Sequence, residues 1–450
     1  MSLEIKRTPY WWDIKDSLAA PDNKPLPATI DIAIVGGGFA GLSAALTAVE
    51  AGRSVILFDE GQPGRAASTR NGGICSGHLR LSHSVLTKRY GKLNADAVYA
   101  EAAIAREDIA SFIKQHDIDC DYYQSGHFNG ALSPRDFEAM KRDVDNLNAI
   151  PGIDAELIGK QSVSNEIQTD RFYGGLLRRD LAGYHPAKFF ASLLKIVAGA
   201  GVQIEADTEV QMISNTQNGK SDIVTARGTV TAGKVIVATN AYTGRKPSFG
   251  HFLRRRLVPV QSCIMVTELL GKARVKALMP GLRLYGNTAK LSCYFRPTPD
   301  GKRILLGARS FDRFSPSDKS VRFLRSMLSG MFPSLSNVGV DYSWLGNVAF
   351  NRTYLPSVFE VDGIVYAGGY GGSGTVWARW LGKKAAQMAL GQDNAPSIFT
   401  SLHHGAPPPK IPFYDGEPWF LPLVNTRYAL QDRMNQMQFG YRAKERMSKD

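Results

Sequence analysis

Three glycines in the run Ile32-Ala-Ile-Val-Gly-Gly-Gly-Phe-Ala-Gly-Leu42 stand as G-x-G-x-x-G, at Gly36, Gly38 and Gly41. The first allows a tight turn, the second lets backbone approach a pyrophosphate, and the third lets a helix lie close on a strand. The helix that follows meets phosphate with unpaired N–H groups and the positive end of its dipole. Asp59 ends the next apolar run about 20 residues on, where an acid hydrogen-bonds an adenosine ribose. Phe39, Ala40 and Glu60 fall in the same expected set of dinucleotide contacts. A second glycine run, Gly369-Tyr-Gly-Gly-Ser-Gly374, also precedes a helical pattern. No strand and acid follow that helix; Gln392-Asp-Asn-Ala-Pro and a Pro-rich tail do. The missing βαβ context argues against a second nucleotide unit, leaving a helix N-terminus aimed at another negative charge of one ligand.

The elements that must position these glycines are legible around them. Ile30 to Val35 reads as a strand, Gly41 to Ala51 as a helix and Ser54 to Asp59 as a second strand, a βαβ unit. Helical patterns follow at Asn94 to His116, Pro134 to Ala149, Pro186 to Ala200 and Thr375 to Leu390, with a hairpin signal at Pro299-Asp-Gly301. The aromatic cluster Tyr10-Trp11-Trp12 belongs to an extended arm expected to pack down. The chain's 450 residues exceed one core, and 44% hydrophobic with 21% charged residues excludes a disordered or coiled-coil chain. A net charge of +13 raises nucleic acid, a membrane surface or anionic substrates as partners. Arg254-Arg-Arg256 lacks interleaved aromatics, so no nucleic-acid partner is expected. Cys75, Cys120, Cys263 and Cys293 have no metal-ligand spacing, and neither have the eight histidines, so no metal is expected. With no apolar leader or spanning run, the expected location is cytoplasmic.

Further motifs stand in order along the chain: Gly64-Arg-Ala-Ala-Ser-Thr-Arg-Asn-Gly-Gly73, Gly183-Tyr-His-Pro186, Val235-Ile-Val-Ala-Thr-Asn-Ala241, Tyr294-Phe-Arg-Pro297 with Asp300, Leu306-Gly-Ala-Arg309, Gly368 to Thr375, and Trp419-Phe-Leu-Pro422. Through them the chain resembles the FAD-dependent D-amino acid oxidase-like family, which includes glycine, sarcosine, γ-glutamylputrescine and iminodiacetate oxidases. The resemblance implies an α/β fold: a Rossmann-like FAD-binding domain with a strand-rich α+β substrate-binding domain. The expected division is an arm over 1–29, an FAD-binding domain over 30–92, 186–245 and 340–392, a substrate domain over 93–185 and 246–339, and a tail over 393–450 packed on the body. It also implies FAD contacts from Arg65, Ala66, Ala67, Ser68, Arg70, Asn71, Gly72 and Gly73, from Val210, Ala238, Thr239 and Asn240, and from Gly369, Gly371, Gly372, Ser373, Gly374 and Thr375. Many members carry Ser-Gly-His-Gly where this chain has Gly371-Gly-Ser-Gly374, so a His contact is absent. Sarcosine oxidases attach FAD through a cysteine before that loop; this chain has none after Cys293, so non-covalent FAD is expected.

The implied reaction is hydride transfer from the carbon beside an amine nitrogen to the flavin, imine hydrolysis, and reoxidation by O2 to hydrogen peroxide. Such chemistry requires a cofactor and an oriented amine, and no acid–base dyad. Tyr294 and Arg296 share one face of a strand, with Arg309 on its partner, and an Arg that forks onto a carboxylate suits an amino-acid substrate. Arg296 is the leading candidate, then Tyr294, Arg309 and Tyr370, which would cover the ring. A dehydrogenase using a quinone or an electron-transfer protein, an NAD(P)H-dependent flavoprotein, and a non-enzymatic basic flavoprotein binding a polyanion are the alternatives.

Overall fold

The structure, a computed structural model, describes residues 4–13, 19–216, 218–244, 248–310, 312, 315–392 and 396–447. The apolar runs form two eight-stranded sheets. In the first, Thr29–Val35 lies between Gly228–Val237 and Val55–Phe58, all parallel, with Ile364–Gly368 and Gln203–Glu205 extending it on either side. Parallel strands are covered on both faces, so they read as unbroken apolar runs such as Val55–Phe58, buried at all four positions. The helices Phe39–Glu50 and Gly374–Ala389 cover one side, meeting where a Cβ on Gly382 would collide with the Ala40 carbonyl oxygen. The two glycine loops that precede these helices are thereby brought together from opposite ends of the sequence.

The second sheet runs Val340–Phe350, Val258–Thr267, Ile304–Arg309, Cys293–Pro297, Leu284–Asn287, His127–Gly130, Gly174–Arg178 and Ala155–Gly159. Its pairs are antiparallel except Leu284–Asn287 with His127–Gly130. The expected hairpin at Pro299-Asp-Gly301 joins Cys293–Pro297 to Ile304–Arg309. Two expected domain boundaries are displaced. Val340–Phe350 pairs along Val258–Thr267, so its backbone groups are satisfied in the second sheet and the return to the nucleotide domain falls after it, not at 340. Helix Lys92–Gln115 packs Ala95, Val98, Ala102, Ala105 and Ile109 into the core of the nucleotide domain, against the expected boundary at 93. The boundaries expected at 246 and 393 lie outside the described residues.

Segments near both ends of the chain lie on this frame. Trp11 is fully buried and donates its indole N–H to Asn71 O at 2.7 Å, and Trp12 donates to Thr69 Oγ1 at 2.8 Å. The tail, expected as a Pro- and aromatic-rich segment packed on the body, forms a helix over Leu421–Met447, whose Leu, Gln, Arg and Met content favours one. Among the described residues, no helix is long and apolar enough to cross a membrane.

Candidate active site

One continuous cavity of about 960 Å³ is lined by residues of both sheets. At its first end stand Gly36, Gly38, Phe39, Ala40, Asp59, Glu60, Val210, Ala238, Thr239 and Asn240. Gly36 has φ +107°, and a Cβ there would sit 3.0 Å from the Ala238 carbonyl carbon, so only glycine fits the turn. Gly41 does not line the cavity: a Cβ on it would collide with the Gly36 carbonyl oxygen, so its task is to let the helix close on the turn. The helix begins at Gly38 without a side-chain cap, and Phe39 N–H donates to Ser68 Oγ at 3.0 Å. The Asp59 carboxylate accepts from Gly37 N–H at 2.7 Å and Gly61 N–H at 3.0 Å. Burial pushes its carboxyl above the usual range against the pull of those two amides.

The loop over 64–73 supplies Ala66, Ala67, Ser68, Arg70, Asn71 and Gly72 to the wall. Asn71 staples it, donating to Ser68 O at 2.8 Å and accepting from Gly73 N–H at 2.8 Å and the Tyr184 hydroxyl at 3.2 Å. Arg65 and Gly73, expected at the cofactor, do not line the cavity: Arg65 lies over the Trp12 ring at 4.4 Å, and Gly73 is pressed against Tyr184 O. Across the cavity stand Tyr370, Gly371, Gly372, Ser373, Gly374 and Thr375. Gly369 does not; its N–H donates to Asn240 Oδ1 at 2.9 Å. Helix Gly374–Ala389 also starts without a side-chain cap, and Ser373 Oγ meets Ser76 Oγ at 3.0 Å. The Tyr370 hydroxyl is buried with no partner among the described residues, and burial raises it.

Two uncapped helix N-termini thus open onto one cavity, which suits an elongated ligand negative at two places. A glycine cradle at one end and an orphaned tyrosine hydroxyl at the other fit FAD: Gly36 to Ala40 would hold its phosphates, and Asn71-Gly72 with Tyr370 to Thr375 would hold its ring.

The substrate candidates separate. Tyr294 lines the cavity, packs its ring against Gly72 and Gly307, and reaches Ser262 Oγ at 3.3 Å; burial pushes its phenol up to about 12. Arg309 also lines it, donating through Nη1 to Asn425 Oδ1 at 2.8 Å with the Tyr428 ring 5.8 Å away. Arg296 does not. It shares a face with Tyr294 as the alternation requires, but two residues along the strand the 64–73 loop covers the sheet. Arg296 is wholly buried, donating to Gly73 O, to Tyr184 O at 3.1 Å, to Pro297 O at 3.1 Å and to the Tyr123 hydroxyl at 3.0 Å. Its guanidinium binds the loop to the sheet and has no access to a substrate. Sequence reasoning also missed a polar wall of His78, His127, Arg178, Asp136 and Asp143. These residues share no spacing motif and meet only through strand pairing, His127 lying opposite Arg178.

A family model described as DAO, FAD dependent oxidoreductase, matches residues 31–388. The chain is 29% identical over 413 residues to a gamma-glutamylputrescine oxidoreductase of Escherichia coli (strain K12), covering 90% of this chain and 93% of that protein. Its fold is similar to the crystal structure of glycine oxidase from Geobacillus kaustophilus, with TM-score 0.69 and 21% identity over 83% of this chain and 97% of that one. Iminodiacetate oxidase from Chelativorans sp. BNC1 superposes with TM-score 0.66 at 17% identity, covering 84% and 98%.

Proposed function

The chain belongs to the DAO family of FAD-dependent oxidoreductases, and from that premise we propose that it oxidises a C–N bond of a small, carboxylate-bearing amine or amino acid, of the iminodiacetate, sarcosine or γ-glutamylputrescine type. Electrons pass to dioxygen, which leaves as hydrogen peroxide. Bound FAD supplies the two-electron acceptor for the hydride on the carbon beside nitrogen, and the imine so formed takes up water to give a carbonyl compound and an amine or ammonia. The supporting observation is that both helix N-termini open onto one cavity which continues to Tyr294 and Arg309. The N-terminus at Ser373 favours negative charge next to the ring site, and Tyr294, hydrogen-bonded to Ser262, forms one wall. Arg80, Lys290 and Arg309 all line the cavity, and Arg80 sits near enough to help lower Arg309, so this side draws anions. No cysteine follows Cys293, so FAD is held without a covalent link in this reading.

Anaerobic addition of sarcosine, glycine, iminodiacetate, γ-glutamylputrescine and D-amino acids to the yellow holoenzyme tests it. Bleaching of the flavin by one of them, reversed by air with release of hydrogen peroxide, is the expected result. Reversal only by a quinone would replace the oxidase with a dehydrogenase, and no bleaching by any amine would remove the reading.

A further inference from the structure

A second cavity, of about 240 Å³, lies outside the candidate active site on a seam between three helices. Helix Phe39–Glu50 turns Ser43 and Glu50 toward it, helix Lys92–Gln115 turns Asp108 and Phe112, and helix Gly374–Ala389 turns Arg379 and Lys383. On each helix these residues stand four or seven apart, the spacing of a single face. None of them lines the larger cavity. A helix face that meets other helices is ordinarily apolar, yet the apolar side chains here are Leu46 and Phe112 alone. The space far exceeds the about 10–15 Å³ that one water needs.

Two polar groups in this cavity lack what their chemistry requires. The Arg379 side chain is 4% exposed, and its guanidinium lies over the Phe112 ring at 3.9 Å. Its Nε stands 3.1 Å from Asp108 Oδ2, an ion pair without hydrogen-bond geometry, and neither Nη1 nor Nη2 makes a hydrogen bond among the described residues. Ser43 Oγ is also buried without a partner there, whereas Thr47 Oγ1 donates to Ser43 O at 2.9 Å. A buried guanidinium and hydroxyl with unused donors call for an acceptor from outside the chain. The charges say which kind. Lys383 pairs with the other oxygen of Asp108, so two cations share one carboxylate and one positive charge is left over. Glu50 is exposed and screened by water, and it opposes any second negative charge. The surplus therefore suits a single negative charge, and a fork-shaped carboxylate meets a guanidinium best.

We propose that this seam is a second binding site, for a small monocarboxylate with a short apolar chain. The carboxylate takes the Nη hydrogens of Arg379 and the Ser43 hydroxyl, and the chain lies against Leu46 and Phe112. The site is independent of the oxidation proposed above. Ser43 stands about 6 Å along its helix from Phe39, and Arg379 about 7 Å along its own from Gly374, at about 1.5 Å per residue. An occupant therefore bears on both helices whose N-termini open onto the larger cavity, and it raises the Tm of the holoenzyme by mass action.

The test is calorimetric titration of the holoenzyme with propionate, with its uncharged isostere propionamide and with inorganic phosphate, the flavin spectrum being recorded alongside. Propionate is expected to bind at least about tenfold more tightly than propionamide, the scale of one charge-assisted contact, and more tightly than phosphate. Ser43→Ala is expected to weaken propionate about tenfold. Its unliganded Tm should equal or exceed that of the wild type, because it removes an unpaired buried hydroxyl and sets alanine in a helix. Arg379→Met is expected to abolish the preference for propionate over propionamide, and Arg309→Gln, in the larger cavity, to leave it intact. Equal Kd values for propionate and propionamide, or no binding of propionate, would show a void that water fills and overturn the site; neither outcome needs a variant to fold. Tighter binding of phosphate would overturn the monocarboxylate. Propionate that shifts the flavin spectrum and binds Ser43→Ala as it binds the wild type would lie at the flavin instead, and the seam would hold no ligand.

Discussion

The two ends of the cavity are built from different materials. Around Gly36 to Gly41 the wall is main chain, and the decisive positions are those where a side chain would strike backbone: Gly36 against Ala238, and Gly41 against the Gly36 carbonyl. Around Tyr294 the wall is side chains standing on a sheet face, held by partners distant in sequence: Ser262 for Tyr294 and Asn425 for Arg309. Backbone can recognise phosphate because every phosphate is alike, and side chains must recognise a substrate because substrates differ. The first end is therefore intolerant of added volume, and the second of altered charge.

The sharpest way to break that contrast is Gly41→Ala. One methyl group must displace the Gly36 carbonyl, and with it the turn proposed to meet the phosphates. Such overpacking costs about 1–3 kcal/mol before any ligand is lost. The variant is expected to purify colourless, with FAD bound more than about 100-fold more weakly, and added FAD is expected to leave its Tm unchanged. A yellow Gly41→Ala protein of ordinary Tm would show that the cradle is not fixed by volume.

Arg296→Gln comes next, because it asks which end Arg296 serves. Its loss leaves buried carbonyl oxygens of Tyr184 and Pro297 without this donor, at a cost of about 1–3 kcal/mol for each acceptor left unpaired. Lower stability and weaker FAD retention are expected, with KM for a carboxylate-bearing amine nearly unchanged. A large rise in KM with stability intact would return Arg296 to the substrate.

These two positions mark what the sequence could carry. The βαβ unit, the two glycine loops and the Pro299-Asp-Gly301 hairpin are local: their glycines, apolar periods and turn residues lie within one segment, and the structure places strand Thr29–Val35 and helix Phe39–Glu50 within two residues of the expected strand and the expected helix start and end. Alternation correctly put Tyr294 and Arg296 on one face. It could not tell that Gly73, Tyr184 and Trp11 cover the second of them, because that covering comes from three remote segments. The same limit hid the polar wall at Arg178 and the contact of Asn425 with Arg309, which depend on register and on a C-terminal helix with no motif of its own.

Arg309→Gln gives a smaller effect of opposite kind. Fold and FAD content are expected to stay as they are, because Arg309 makes its bond to Asn425 at the edge of the cavity. kcat/KM for an anionic amine falls about tenfold, within the range that steering charges supply, and its decline with added salt becomes shallower. An unchanged salt dependence would mean that Arg309 does not draw the substrate.

The smallest effect separates the two ends by the sign of their response to acid. His78, His127 and His185 are held neutral, pushed from 6.5 down to about 4, about 3 and about 4 by burial first. Below pH 6.5 the unfolded chain takes protons that the folded chain refuses, so these groups lower stability progressively as pH falls toward 4. Asp59 acts the other way: its carboxyl is raised, so the penalty of burying its charge is relieved as the folded protein takes up that proton. Three histidines outweigh the raised Asp59 and Glu60 carboxyls, and Tm is expected to fall between pH 7 and pH 5. His127→Asn should recover about 2–4 °C of that loss, the shift that about 1 kcal/mol makes in a large domain, while leaving Tm at pH 8 unchanged. A Tm that rises on acidification, or an equal slope in the variant, would place the acid-sensitive charge at the nucleotide end instead.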